Sequence, residues 1–290
     1  MYWILYIIIE MRTIAFSTKH ITNASNNQFR YKFPRDIDLT NIQIGLASLS
    51  IYYSFFNISA AKQNNKVSYL WNGTTHTITF PDMIAEVSDL QAFMFFKFRE
   101  SNHYLNDING NPVYPIELFV DTARYAIVIV VRAIPAAANA VYPAAFNTHI
   151  SFPSNAFVPK LIMVSNNHFH KLIGYASDFD TGILDAASIS TSTSFSSVSP
   201  LLNPDANLVV NIQNIINNPY ADPNGICHAF GVNVSPGSQL VERPNEIAFV
   251  DVVTGKYDHI DIRIMNADTL ADVLIRDPEI NILLIIRDKP

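Results

Sequence analysis

The sequence predicts an all-β sandwich, and three observations carry that expectation. Short runs rich in β-branched and aromatic residues recur along the chain, several with polar residues alternating between them. Asn-Gly pairs and other Gly- or Pro-bearing turns separate many of these runs. Only one stretch carries an unambiguous helical spacing. No internal repeat and no composition break is visible, so the expectation is one domain over residues 11–290, with one or two short helices in inter-strand connections.

Taken in order, Arg12–Phe16 and Gln28–Phe33 read as short strands. Asn41–Ile51 places Ile42, Ile44 and Leu46, then Leu49 and Ile51, between mostly polar neighbours, as a half-buried strand does. Val67–Trp71 and His76–Phe80 flank Asn72-Gly73, a pair that tolerates the two positive φ angles of a type I′ hairpin turn. In Asp89–Arg99 the apolar Leu90, Phe93, Met94 and Phe98 fall on one helical face, with Ser88 as the expected N-cap. Asn109-Gly110, Pro112 and Pro115 mark a turn before the strand Ile116–Val120. Tyr125–Val131 (YAIVIVV) is a continuous apolar run and predicts a strand buried on both faces. Ile134–Phe146 is too punctuated by proline for a long helix and predicts an irregular covering segment.

Phe152–Lys160 is expected to hold a turn of helix before the strand Leu161–Val164, and Lys171–Tyr175 a bend entering a loop. Ala186–Ser199, dominated by Ser and Thr, reads as an exposed loop or an edge strand. Strands resume at Asn207–Gln213, Cys227–Val232, Glu246–Val253, Ile260–Met265 and Ile280–Arg287. Tyr52, Tyr53, Phe55 and Phe56 form an aromatic patch, expected in the core or, in part, at a subunit contact.

Composition narrows the function. Charged residues make up 15% of the 290, against about 25% in ordinary soluble domains. Chain copies or other proteins covering much of the exterior would account for the shortage. The net charge of −6 argues against a nucleic-acid partner. Met1–Ile9 (MYWILYIII) is apolar but too short for a membrane span, and it lacks the basic start and cleavage site of a signal peptide. Residues 1–10 are read as an N-terminal extension: either translation starts at Met11, or they form an anchoring arm. The single cysteine, Cys227, excludes a disulfide framework and points to a reducing compartment.

Motifs with catalytic overtones fail on their own chemistry. Asp180-Thr181-Gly182 is the aspartic-protease tripeptide, but two such carboxylates must share one proton, which takes a second copy or a homodimer, and the chain holds no second Asp-Thr-Gly or Asp-Ser-Gly. Asp178 and Asp180 open a calcium-loop pattern, yet positions six and twelve hold Ile183 and Ile189 where Gly and Glu are required. His168 and His170 would share a strand face but have no third ligand nearby in sequence. Adjacent Cys227 and His228 would point to opposite faces of a strand, which argues against a dyad. Asn23, Asn57, Asn72 and Asn233 begin N-x-Ser/Thr triplets, read as chance matches. The expectation is therefore no catalytic, metal or cofactor residues.

Several pieces in sequence order carry a resemblance. They are NNQFRYKFP from Asn26, NIQIGLASLSIYYSFFNIS from Asn41, SYLWNGTTHTITFPD from Ser68 and PIELFVDTARYAIVIVV from Pro115. FPSNAF, KLIGY and SPLLNPDANLVVNIQNI follow, and NEIAFVDVVTGKYDHIDIRIMNADTLADVLIRDPEINILLIIRD closes the chain from Asn245. In this order the chain resembles the penton, or minor capsid, proteins of virophages, polinton-like viruses and Polintons, from Met11 onward. It departs from them at Asp82-Met83, where a Gly would follow the Pro-Asp turn. The resemblance implies a single jelly-roll capsid domain over 11–290 and no enzyme activity. It also implies homopentamers at the five-fold vertices of an icosahedral virion, beside a double jelly-roll major capsid protein and other minor capsid proteins. The alternative is a jelly-roll vertex spike or carbohydrate-binding attachment protein.

Overall fold

The computed structural model describes residues 11–164, 166–180, 191–203, 205–219 and 221–290. They divide into two compact units, Met1–Phe55 with Asp205–Pro290, and Phe56–Pro204. The chain lays down β1 (Met11–Ser17), β2 (Gln28–Asp38) and β3 (Ile42–Tyr52) in the first unit. It then builds the whole second unit. This comprises β4 (Lys66–Trp71), β5 (Thr74–Thr79), α1 (Val87–Glu100), β6 (Leu105–Asn106), β7 (Pro112–Val113) and β8 (Ile116–Asp121). It continues with β9 (Ala126–Val131), β10 (Lys160–Met163), α2 (Phe169–Ile173) and β11 (Ser192–Phe195). The return to the first unit supplies β12 (Asn207–Ile212), β13 (Ile226–Gly231), β14 (Gln239–Glu242), β15 (Val250–Asp251), β16 (Lys256–Asn266) and β17 (Asn281–Asp288).

The first unit is a two-sheet antiparallel sandwich. One sheet runs β1-β17-β3-β14, with β15 also on β3, and the other runs β13-β12-β16-β2. The ribbons β1/β17, β2/β16, β3/β14 and β12/β13 therefore lie across the two sheets in the strand order of an eight-stranded jelly roll. Alternation explains its core. Ile44, Leu46, Leu49 and Ile51 of β3 and Ile282, Leu284 and Ile286 of β17 meet Leu208, Val210 and Ile212 of β12 and Ile260, Ile262 and Ile264 of β16 in one buried cluster. Tyr53 and Phe55 of the aromatic patch join it, their rings 4.4 Å apart.

The second unit has its own core. It contains the sheets β10-β4-β5 and β11-β9-β8 and the pair β6-β7. Leu90, Met94 and Phe98 of α1, Phe169, Leu172 and Ile173 of α2, and the inward residues of both sheets form its buried cluster. Asn57 is 5% exposed and ties the unit's first and last residues: its Nδ2 donates to the carbonyls of Ala85 and Leu202, each at 2.7 Å. Such a buried amide is stabilising because its partners would otherwise be left unpaired. No composition break marks residue 56 or residue 204. The jelly-roll order belongs to the first unit.

Several local expectations change. Helix α1 begins two residues early: Glu86 rather than Ser88 is the N-cap, and the Asp89 carboxylate accepts from the Glu86 amide at 2.8 Å. Residues 152–159 hold no helix; Phe157 instead pairs with Ile134 through backbone bonds in both directions, and Pro153 and Pro159 disfavour a helical turn. Residues 171–173 are the end of α2, closed by Gly174 at φ 77°. Of the expected strand 246–253 the ladder on β3 holds Val250–Asp251, and Val252 bridges Ile216; Ile247 and Ala248 pack over Gly45, where a side chain on β3 would exclude them. The short strand β14 escaped the sequence reading.

Candidate interaction surfaces

The chemically suggestive residues are drawn into structural roles. Asp180 ion-pairs with Lys160 at 2.5 Å and bridges Ile162; Thr181, Gly182, Ile183 and Ile189 lie outside the described residues. His168 and His170 are not on a strand: His168 caps α2 and His170 sits in its first turn, with ring centroids 6.0 Å apart. Cys227 and His228 do point to opposite faces. Cys227 is 5% exposed in the first unit's core, and burial pushes its thiol up to about 12. His228 Nε2 lies 3.0 Å from a Glu242 carboxylate oxygen on β14. Among the described residues, no group of three or more His, Cys, Asp or Glu side chains could hold a metal ion, and no helix is long and apolar enough to cross a membrane.

An aromatic and histidine cluster in the second unit was not anticipated. The His103 ring stacks on Trp71 at 4.5 Å and meets His76 edge-on at 4.6 Å, while Tyr69 Oη lies 2.8 Å from His103 Nδ1. Burial first, and then the neighbouring His76, lower the His103 pKa to about 4. In the unfolded chain the same group titrates near 6.5. Between those values the unfolded chain holds a proton that the folded chain lacks, so stability falls as the pH drops from about 6.5 towards 4 and is level above 7. The loss expected from this group is on the order of 1–2 kcal/mol, reduced from the full linkage because part of the ring still meets water. Urea unfolding of the parent and of His103→Asn at pH 7 and pH 4.5 checks this; equal pH dependence in the two proteins would contradict it.

The outer face of the β11-β9-β8 sheet carries an apolar row. Register sets Phe119 of β8 and Phe195 of β11 on either side of Val128 of β9. Both phenylalanines are 44% exposed, and Tyr125, in the turn that enters β9, is 73% exposed. Ion pairs bracket the row. Arg132 and Glu117 form two hydrogen bonds of 3.2 and 3.1 Å at one end. At the other, Arg124 lies 3.8 Å from Asp121, with its guanidinium 4.3 Å from the Phe195 ring centre. An apolar centre inside a charged rim is the anatomy of a protein contact. Sequence reading placed Phe195 in an exposed or edge segment, but nothing in the sequence ties it to Phe119, 76 positions away.

The expected covering segment of residues 134–146 is in place. Ile134 is buried, and the Asn106 side-chain amide, next to the β6–β7 pair, donates to the Phe146 carbonyl at 2.6 Å. Val141 and Phe146 themselves stay exposed at 58% and 45%. They add to the apolar surface of this unit.

Comparison with solved structures finds distant likenesses. The crystal structure of SeMet-labelled mavirus penton protein is similar to this chain over 97% of its length and 99% of the other, at 10% identity and a TM-score of 0.48. No family model and no curated protein matches the chain.

Proposed function

We propose that the chain is a structural capsid subunit of the penton type, five copies of which close a ring at the five-fold vertex of an icosahedral virion. The observation that carries this reading is the pair Phe119 and Phe195, each 44% exposed on either side of the buried Val128. The jelly-roll strand order of the first unit supports it by analogy, since that order recurs in viral capsid proteins, though also in lectins and cupins. The low charge content fits a subunit whose flanks meet neighbours, and the ordered sequence pieces resemble penton proteins. In this reading residues 11–290 work as one capsid subunit and catalyse no reaction. A ring of five uses heterologous contacts, so the row meets a different surface on the next copy or on a double jelly-roll major capsid protein.

Co-expression with a double jelly-roll major capsid protein, followed by native mass measurement and particle imaging, tests this. The expected result is a species of five chain masses and five-fold averages at vertices. Single chains only, with the partner present, would overturn it; glycan binding by those single chains would favour an attachment role instead.

A further inference from the structure

The first unit contains an apolar cleft at the end where β1 begins. β1 is the edge strand of one sheet and β2 the edge strand of the other, so the sandwich is open between them. A space of about 260 Å³ lies there, walled by Ile14, Tyr31, Phe33, Ile37, Ile42 and Ile286. Arg12, Asp38, Arg287 and Asp288 also line it. A bulge shapes one wall: Ile37 opposes Tyr257 and Lys32 opposes His259, so residues 33–36 of β2 face Asp258 alone. Tyr31, Phe33, Ile37 and Ile42 remain only partly buried.

Met1–Ile9 reads MYWILYIII and precedes Met11, which pairs with Arg287 at this same end of β1. We infer that the apolar residues of Met1–Ile9 dock in this cleft on a neighbouring copy, as an exchanged arm. Chemistry matches the two: an uncharged aliphatic and aromatic run needs cover, and the cleft offers apolar walls. The one charged side chain, Glu10, falls at a mouth that holds two arginines, Arg12 and Arg287, and two aspartates, Asp38 and Asp288, with Arg287 donating to Gln43 Oε1. Direction selects the neighbour. To enter its own cleft the chain would have to reverse within residues 9–12, yet residues 1–12 contain no Gly, Pro, Asn or Asp, and Ile7, Ile8 and Ile9 are β-branched. Nine extended residues reach about 30 Å, enough to cross a subunit boundary.

The docking rests on the proposed assembly of sister copies, and the test separates the two. Cys227 is buried with its thiol pushed up to about 12, so added cysteines report alone. In the full chain, Leu5→Cys is combined with Phe33→Cys, or with Thr13→Cys if the first pair lowers the melting temperature, and treated with a short thiol-bridging reagent. The expected product on a denaturing gel is a ladder of joined chains, absent from each single-cysteine protein. Links only within one chain, or none in protein that native mass shows to be oligomeric, would overturn the arm exchange and leave the penton reading standing. A purified chain whose intact mass begins at Met11 would also overturn it. A ladder without five-fold oligomers would support the exchange and count against the penton.

Discussion

Replacing Phe119 and Phe195 together by Ser is expected to abolish the oligomer while the single chain stays folded. Both rings are 44% exposed, and each has about half its surface still to bury at a contact. At about 25 cal/mol per Å² of apolar area, the pair loses on the order of 2–4 kcal/mol per contact. That weakens each contact about 30- to 1000-fold, and a closed ring repeats the loss at every joint. The folded chain also loses stability, on the order of 2–4 kcal/mol, because the buried half of each ring, its packing on Val128 and the Arg124 guanidinium over Phe195 are given up. Sedimentation of the double variant should give folded single chains with a melting temperature several degrees below the parent's. Unchanged oligomers would remove this face from the contact.

Gly174→Val, at a buried helix end, is expected to give a large loss of stability. Gly174 ends α2 at φ 77°, where a side chain costs about 1–2 kcal/mol by itself. Its Cβ would be driven into the Val198 carbonyl oxygen and to 3.0 Å from Ser196 Cβ. That carbonyl belongs to a segment strapped down here: the amides of Ser197 and Val198 both donate to the Gly174 carbonyl, and Leu201 donates to Lys171. The same strap holds β11 in place, since the Ser196 amide donates to Ile127 and the Tyr175 hydroxyl bonds the carbonyls of Ile127 and Ser194. A loss of about 3 kcal/mol or more is expected. Hydrogen exchange should rise at residues 196–201 and leave β3, β12 and β17 unchanged. Full protection of the strap in the variant would contradict this account.

Much of the fold was legible because it is written in local periodicity. Asn72 and Gly73 do take positive φ, 45° and 80°, and turn β4 into β5. Of the apolar run expected to be buried on both faces, Ala126–Ile129 and Val131 are buried, while Tyr125 at its start is exposed. Residues 186–190 lie outside the described residues; in the rest of the range to 199 the edge-strand option is realised in β11, held by pairing with β9 and by the Tyr175 hydroxyl on the Ser194 carbonyl. Strand β14 was missed because Gln239–Glu242 is four residues long with two polar ends and acquires its identity from β3 beside it. Helix α2 was read as a bend, since five residues hold little periodicity; burial of Phe169, Leu172 and Ile173 fixes it.

The sequence alone determined the all-β class, the hairpin turns and the principal helix, because each depends on neighbouring residues. Only the tertiary structure decided that residues 56–204 form a body with its own core, that Phe119 and Phe195 share one row, and that His76 and His103 touch. Those outcomes depend on strand register between segments tens of residues apart. A one-residue slip would turn a strand's side chains to the opposite face, and residue order alone does not specify which strands meet.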